Sequence, residues 1–323
     1  MKAMTRDRYG SADVLALNEI AMPVAGSDEV LIRVRAAGVG PDVWHVMTGR
    51  PYLVRLMGFG LREPKSRVIG WDVAGSVEAV GRDVTQLQPG DEVFGTCIGA
   101  FAEYACARTQ TLAPKPANLS FEQAAAVPVS GTTALRGVRD AGGAQAGQAV
   151  LIVGASGGVG TFAVQLAKMF GAHVTGVCSS TKMELVRSLG ADHVIDYTLE
   201  DFADGAQRYD LILDTAGRRP LSHIRRALTP RGTLVIVGGE GGGRWTGGFE
   251  RQLRAAVLSP FVGQRLRPLM STARQADLLF LKDAIEAGDV APVISRTYPL
   301  DEAAKALSDA DEGHGRGKVV ITI

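Results

Sequence analysis

The sequence predicts an α/β protein, with a doubly wound parallel sheet joined to a second, mostly β domain. Three observations predict it. From residue 150 onward, continuous apolar runs alternate with segments of helical spacing. In the first hundred residues, short β-like runs are broken by turn residues, and helical signal is scarce. Glycine is abundant at 40 of 323 residues while aromatics make up only 6%, a mixture suited to many tight strand-to-helix turns.

Taken in order, residues 29–34 (EVLIRV), 73–80 (VAGSVEAV) and 92–95 (EVFG) read as strands. Asp28, Gly81-Arg82-Asp83 and Pro89-Gly90-Asp91 punctuate them. They suggest a compact β domain with some barrel character. Near Asn118 the pattern changes, and Ser120 with Glu122 ahead of the apolar run 124–127 marks a helix start.

Residues 150–153 form an apolar strand, and 159–170 a helix with Phe162, Ala163, Leu166, Ala167 and Phe170 on one face. Strands at 173–178, 193–195, 209–213 and 233–237 alternate with helices at 183–189 and 221–228. Such β-α-β alternation predicts a parallel sheet covered on both faces. The pattern lapses in the glycine-rich residues 240–247 and resumes as a helix over 276–287. The closing residues 318–323 (KVVITI) form a strand expected to return to the first domain. The expected division is 1–118 with 292–323 for one domain and 119–291 for the other.

Composition excludes several classes. Hydrophobic residues at 46% and charged residues at 21% exclude a disordered chain. Lys plus Arg (35) nearly cancels Asp plus Glu (34), so no bulk charge draws the protein to nucleic acid or anionic lipid. Cys97, Cys106 and Cys178 are too few and too scattered for a disulfide framework. No secretory signal or bilayer-length apolar run is visible. The expectation is a cytoplasmic protein with no nucleic acid partner and no stable membrane insertion.

Gly154-Ala155-Ser156-Gly157-Gly158-Val159-Gly160 follows an apolar strand and opens a long amphipathic helix. This context marks a dinucleotide loop: glycines let the backbone approach a diphosphate, and the helix N-terminus binds the anion. The competing readings are a tight turn without ligand and an S-adenosylmethionine site. The following strand ends in Cys178-Ser179-Ser180-Thr181-Lys182, with no acidic residue for a ribose diol; the nearest is Glu184. A carboxylate about 4 Å from a 2′-phosphate would cost roughly 4 kcal/mol at an effective dielectric of 20. Its absence, with Lys182 as a point charge, favours NADPH. The alternative for Ser179, Ser180 and Thr181 is a helix cap.

Residues 147–151 (GQAVL), 155–160 (ASGGVG), Gln165 and Lys168 resemble the quinone oxidoreductase/zeta-crystallin branch of the medium-chain dehydrogenase/reductases. Residues 36–39, 89–95, 101–104, 189–192 and 317–320 extend the resemblance along most of the chain. It implies a GroES-like catalytic domain formed from both chain ends, a Rossmann domain, and an active cleft between them. It also implies NADPH-dependent reduction of quinones or enones, commonly by a homodimer. By the same resemblance Ser156, Gly157, Gly158 and Val159 would hold the diphosphate. Ser179, Lys182 and Tyr197 would surround the 2′-phosphate. Thr132, Thr215, Ala216, Val237 and Gly238 would lie along the nicotinamide half.

Zinc alcohol dehydrogenases share the overall plan, but their catalytic metal needs thiolate and imidazole ligands. Here Gly40 stands at the first cysteine position, and Gly70-Trp71-Asp72 replaces Gly-His-Glu. No metal site is therefore expected. Quinones and enones need less oxyanion stabilisation than aldehydes, so orientation and a proton donor remain the protein's tasks. Asp42, His45 and Tyr52 are the candidate donors, beside solvent itself. The branch often has asparagine at Gly40, so its substrate contacts do not transfer directly.

The apolar residues 52–60 either line a substrate pocket or pack on the barrel. Residues 244–267, with Arg244, Arg251, Arg254 and Arg265 among Phe249, Leu253, Val257 and Phe261, read as a solvated helix face, a dimer contact or a lipid-facing patch. The alternatives to a quinone or enone reductase are an enoyl-thioester reductase, a zinc-free alcohol or aldehyde oxidoreductase, and a non-enzymatic NADPH-binding sensor.

Overall fold

The computed structural model describes residues 1–205, 207–238, 245–270, 272–311 and 316–323. The chain divides into two compact units, Met1–Thr132 with Thr272–Ile323, and Thr133–Ser271.

The first unit begins with an antiparallel pair, β1 (Lys2–Thr5) and β2 (Ala16–Glu19). The long strand β3 (Glu29–Val39) leads into a short helix, α1 (Pro41–Thr48). The sequence pattern did not signal α1. Pro41 starts it, and Gly49, at φ 61°, ends it in the left-handed conformation. Its last carbonyls are held from far away in the chain: Arg6 Nη1 donates to Val46 O at 2.5 Å and Met47 O at 2.6 Å. Then come β4 (Asp72–Val80), β5 (Glu92–Thr96), β6 (Tyr104–Arg108) and β7 (Leu112–Pro114). Helix α2 (Phe121–Ala125) opens with a capping box between Ser120 and Gln123, and α3 (Pro128–Leu135) follows.

The second unit is the alternating part. It runs β8 (Ala149–Val153), α4 (Gly158–Met169), β9 (His173–Cys178), α5 (Met183–Ser188), β10 (His193–Asp196) and β11 (Tyr209–Asp214). It continues with α6 (Leu221–Arg226), β12 (Leu228–Ile236), α7 (Phe249–Leu258) and β13 (Arg265–Pro268). The sheet is parallel, in the order β10-β9-β8-β11-β12-β13. That is the doubly wound order with its switch point between β8 and β11. Val150, Leu151 and Ile152 have no exposed surface, as expected of a strand covered on both faces. Every residue of α4 from Gly160 to Ala167 is buried, a wider burial than the single apolar face read from spacing. Helix α6 ends at Arg226 rather than at Leu228, because Leu228 already pairs with Tyr209 in the sheet.

The chain then returns to the first unit as α8 (Gln275–Glu286), β14 (Ile294–Pro299), α9 (Ala303–Asp311) and β15 (Lys318–Thr322). The mixed sheet has the order β14-β15-β3-β4-β5-β7, with β6 also paired to β3. β15 pairs antiparallel with β3, Val319 opposite Val39 and Thr322 opposite Ala36. The last residues of the chain therefore lie beside the strand that delivers α1. Among the described residues, no helix is long and apolar enough to cross a membrane.

Candidate functional site

In the second unit, ligand-binding residues are sought at the carboxyl ends of the strands beside the switch point. The β8–α4 loop sits there, and three glycines shape it. Gly154 takes φ +85°, and a Cβ on it would lie 2.5 Å from Thr215 Oγ1. A Cβ on Gly160 would meet Gly154 O and lie 2.8 Å from Ala155 C. Gly157 differs: an added Cβ would touch only Gly154 O, at 3.4 Å, so its outer face is open. Gly154 N and Ala155 N donate to Val177 O at 3.1 and 3.0 Å, fixing the loop to β9. The start of α4 leaves the N–H groups of Gly158, Val159 and Gly160 without carbonyls one turn back. With the helix dipole they form an anion cradle.

The carboxyl end of β11 lies beside it. Thr215 Oγ1 donates to Val153 O at 2.8 Å, and Val237 N donates to Asp214 O at 3.0 Å. Gly238 comes so close that a Cβ would lie 3.0 Å from Thr215 C. Thr215, Ala216, Val237 and Gly238 thus gather at the strand ends next to the loop carrying Ser156 to Val159. Thr132 belongs to the other unit, where it is buried in α3 and its hydroxyl donates to Pro128 O at 2.6 Å.

Asp214 and Arg251 are functional candidates that the sequence pattern did not single out as a pair. Asp214 is fully buried; its Oδ1 accepts Gly217 N at 3.1 Å and its Oδ2 accepts Arg251 Nη2. Arg251 is therefore not on a solvated helix face. Among the described residues, its buried Nε and Nη1 have no hydrogen-bond acceptor. Each orphaned N–H costs about 1–3 kcal/mol, which an oxygen-rich ligand would recover. An open cradle at a helix N-terminus and two orphaned guanidinium donors fit a pyridine dinucleotide, with its diphosphate and carbonyl oxygens. A signal was present: an acid ending the apolar run Leu211-Ile212-Leu213-Asp214 needs a buried cation.

Ser179 precedes the turn Ser180–Lys182 at the end of β9, and its side chain makes no cap bond there. Ser180 instead donates its hydroxyl to Asp196 at the end of β10. Thr198 adds its Oγ1 at 2.7 Å and its N–H at 2.9 Å. These bonds, led by Ser180, hold the Asp196 carboxyl below its ordinary pKa. The end of β9 carries no acid, and Asp196 enters instead from the neighbouring strand β10. The Cys178 thiol reports the local field. Burial and Asp196 push it up to about 11, while Lys182 and Arg187 oppose the rise. Lys182 is partly buried and Tyr197 is exposed. Arg187 pairs with Glu184 at 2.6 Å.

The first unit holds the candidate proton donors on α1 and just beyond it. Asp42 stands in the first turn of α1. Its carboxyl pKa is raised to about 6, chiefly by burial and then by Asp72, with Lys318 opposing. Asp72 and Lys318 form a buried pair at 3.0 Å, and Asp72 Oδ1 accepts Val129 N at 2.8 Å. His45 makes other contacts: Nδ1 lies 2.9 Å from Arg50 O, and Trp44 meets the ring edge-on at 5.6 Å. Tyr52 carries the Arg55 guanidinium 4.8 Å from its ring centre.

Trp71 packs edge-on against Phe59 at 5.8 Å. Among the described residues, no three or more His, Cys, Asp or Glu gather as a metal cage. In the apolar segment 52–60, Val54 is buried while Leu56 and Met57 are exposed. Tyr9 OH ties that segment down by bonding to Phe59 O at 2.8 Å and Gly60 O at 2.7 Å. On α7, Leu253 and Val257 are exposed, as is Phe261 just past its end; Arg244 lies outside the described residues.

Comparison with known proteins gives matches along the chain. Residues 26–117 match the alcohol dehydrogenase GroES-like domain family, and residues 189–321 the zinc-binding dehydrogenase family. A 2-methylene-furan-3-one reductase of Solanum lycopersicum is 36% identical over 337 residues, covering 99% of this chain and 79% of the relative. An NADPH-dependent alkenal/one oxidoreductase of Arabidopsis thaliana is 35% identical, covering 99% of this chain and 79% of its own. The solved quinone oxidoreductase of Coxiella burnetii superposes with a TM-score of 0.88 at 28% identity, covering 100% of this chain and 99% of that one.

Proposed function

The chain belongs to the quinone oxidoreductase branch of the medium-chain dehydrogenase/reductases, and from that premise we propose that it reduces quinones or α,β-unsaturated carbonyls with NADPH and without zinc. It is a nicotinamide-dependent oxidoreductase acting on small molecules; the acceptor class and the preference for the phosphorylated coenzyme are our reading. The observation that carries it is the open face of Gly157 at the start of α4, together with the Arg251 donors left without acceptors among the described residues.

NADPH, when bound, supplies a hydride from the nicotinamide ring. Ser156, Gly157, Gly158 and Val159 hold the diphosphate through main-chain N–H groups and the helix dipole. Thr215, Ala216, Val237 and Gly238 orient the nicotinamide half. Arg251, anchored by Asp214, would give the N–H groups of its Nε and Nη1 to coenzyme oxygens. Ser179, Lys182 and Tyr197 receive the 2′-phosphate; Asp196 spends its charge on Ser180 and Thr198. The names of the Solanum lycopersicum and Arabidopsis thaliana relatives, a 2-methylene-furan-3-one reductase and an alkenal/one oxidoreductase, support the enone class.

Zinc independence rests on the residues themselves. Gly40 has no side chain and the Trp71 indole is no ligand. Conjugated acceptors suit such a site, because the accepted electrons delocalise.

The test is NADPH oxidation against quinones, enones, aldehydes and enoyl thioesters, with and without chelator. Turnover with quinones or enones, unaffected by chelator, is expected. Turnover confined to aldehydes, or abolished by chelator, would overturn the reading.

A further inference from the structure

Asp196 ends β10, the edge strand of the parallel sheet, whose neighbour in the sheet is β9. The pairing of the two strands stops at Asp196 opposite Cys178. Past that pair both chains leave the sheet. One continues as Ser179 and the turn Ser180–Lys182, the other as Tyr197 and Thr198. An edge strand has ladder bonds on one side, so the segments beyond its last pair need other ties to keep their places.

The Asp196 side chain supplies such ties. The residue is 2% exposed, and its carboxyl accepts bonds from both segments. Ser180 donates its hydroxyl to Oδ2. Thr198 donates its hydroxyl to Oδ1 at 2.7 Å and its N–H to the same oxygen at 2.9 Å. Hydrogen bonds to a carboxylate are about twice as strong as neutral ones. Main-chain bonds close the two segments: Lys182 N donates to Ser179 O at 2.9 Å, and Tyr197 N to Cys178 O at 3.1 Å. Ser179, Lys182 and Tyr197, the residues assigned above to the 2′-phosphate, therefore stand on two segments that one carboxyl joins.

The hydroxyls divide their work. That of Ser180 is committed to Asp196, whereas the Ser179 side chain makes no cap bond in the turn. A hydroxyl has one proton to give, so Ser180 in this arrangement has none left for a phosphate. The Asp196 carboxyl, with donors on both oxygens and little exposed surface, is equally closed to a ribose diol. Glu184, the other acid close to the turn in sequence, pairs with Arg187 at 2.6 Å.

We propose that Asp196 is a positioning residue that sets the preference for the phosphorylated coenzyme: by holding Ser180 and Thr198 it fixes the Ser179–Lys182 turn and Tyr197 in one arrangement about the 2′-phosphate. The inference rests on the reading above that the coenzyme is NADPH and that these three residues meet its phosphate. Asp196 acts through Ser180 and Thr198 and not by touching the coenzyme. Donors already in place lose less freedom when the ligand arrives, and the gain falls on the coenzyme that carries the phosphate.

Calorimetric titration of the whole chain with NADPH and with NADH tests this in wild type, Asp196→Ala, Asp196→Asn, Ser179→Ala and the Asp196→Ala/Ser179→Ala pair. A thermal melt without coenzyme follows the fold. Ser180 and Thr198 are exposed, so water takes over their hydroxyls in Asp196→Ala and the unit stays folded. Asp196→Ala should weaken NADPH about tenfold and leave NADH within about twofold. Asn keeps an acceptor oxygen for Thr198, and Asp196→Asn should hold NADPH within about threefold of wild type. Ser179→Ala should weaken NADPH about tenfold, and the paired variant should lose far less than the product of the two single losses, because the first change has already displaced what the second removes.

Unchanged NADPH affinity in Asp196→Ala, or equal losses for both coenzymes with a lowered melt, would overturn the proposal. So would tighter NADPH binding in both Asp196 variants, the mark of a repelling charge, or losses that multiply in full in the paired variant. A wild type that binds NADPH no better than NADH would refute the 2′-phosphate reading on which the proposal rests. A wild type that binds neither would refute the coenzyme reading itself.

Discussion

Replacing Gly157 with alanine separates the folding role of the glycine loop from its ligand role. Gly157 sits at φ −81° and ψ 177°, which alanine adopts without strain. The added methyl meets only Gly154 O at 3.4 Å, an ordinary contact. The folded unit therefore tolerates it, and the unfolded chain loses entropy, for a gain of about 0.4–1 kcal/mol. The methyl would project into the face where a diphosphate oxygen belongs. Losing one or two charge-assisted hydrogen bonds, at about 1.5–3 kcal/mol each, predicts a net penalty of about 2–4 kcal/mol. That is roughly thirtyfold to a thousandfold in the coenzyme dissociation constant.

Calorimetric titration with NADPH reads the affinity, and a thermal melt without coenzyme reads the fold. The melt should be unchanged or slightly higher while affinity collapses. Gly160→Ala is the contrast, because its Cβ meets loop backbone at 2.8 Å and the fold itself should lose about 1–3 kcal/mol or more. A Gly157→Ala protein that binds NADPH as wild type does would refute the cradle. One that melts far below wild type would show that the glycine serves the fold instead.

Further outcomes follow from the same geometry. Lys182→Glu should raise the Michaelis constant for NADPH by about thirtyfold or more, from a screened change of about 2 kcal/mol, and should leave that for NADH nearly unchanged; steady-state kinetics with both coenzymes checks this. Arg251→Met leaves Asp214 buried without its cation, and denaturant unfolding should show a loss of about 3–5 kcal/mol. In the wild type, NADPH should raise the melting temperature by more than it does in any Arg251→Met protein that still folds. Asp42 also predicts a stability slope. Its folded pKa lies above the unfolded value, so its stabilising contribution is complete below about pH 4 and is lost as pH rises through about 6. The change is at most about 3 kcal/mol from two pKa units, and denaturant titrations of wild type against Asp42→Asn at both ends of that window measure it.

The elements most legible in the sequence were those whose chemistry is local. Residues 150–153 and the glycine loop announce a strand, a tight turn and a helix within twenty residues, and β8 with α4 occupies that stretch. The terminal KVVITI reads as a strand by composition, and β15 pairs with β3. Elements secured by distant partners were not legible. Helix α1, PDVWHVMT, has weak helical propensity and depends on Arg6 to satisfy its final carbonyls. β2 is exposed along its whole length, so it gives no alternation to read. The site shows the same division. The loop residues announce themselves, whereas Asp214 finds Arg251 37 positions away and Asp72 finds Lys318 246 positions away. A buried acid announces that it needs a cation, but only the fold says which one.

Central to the proposed function is the transfer of hydride from NADPH to a conjugated acceptor without a metal. Rapid mixing of the chelator-treated protein with NADPH and an enone, followed by the loss of reduced-nicotinamide absorbance, tests it most directly. A burst of coenzyme oxidation is expected, slowed when deuterium replaces the transferred hydrogen and much weaker with NADH. Unchanged absorbance with both coenzymes across enones and quinones would contradict it.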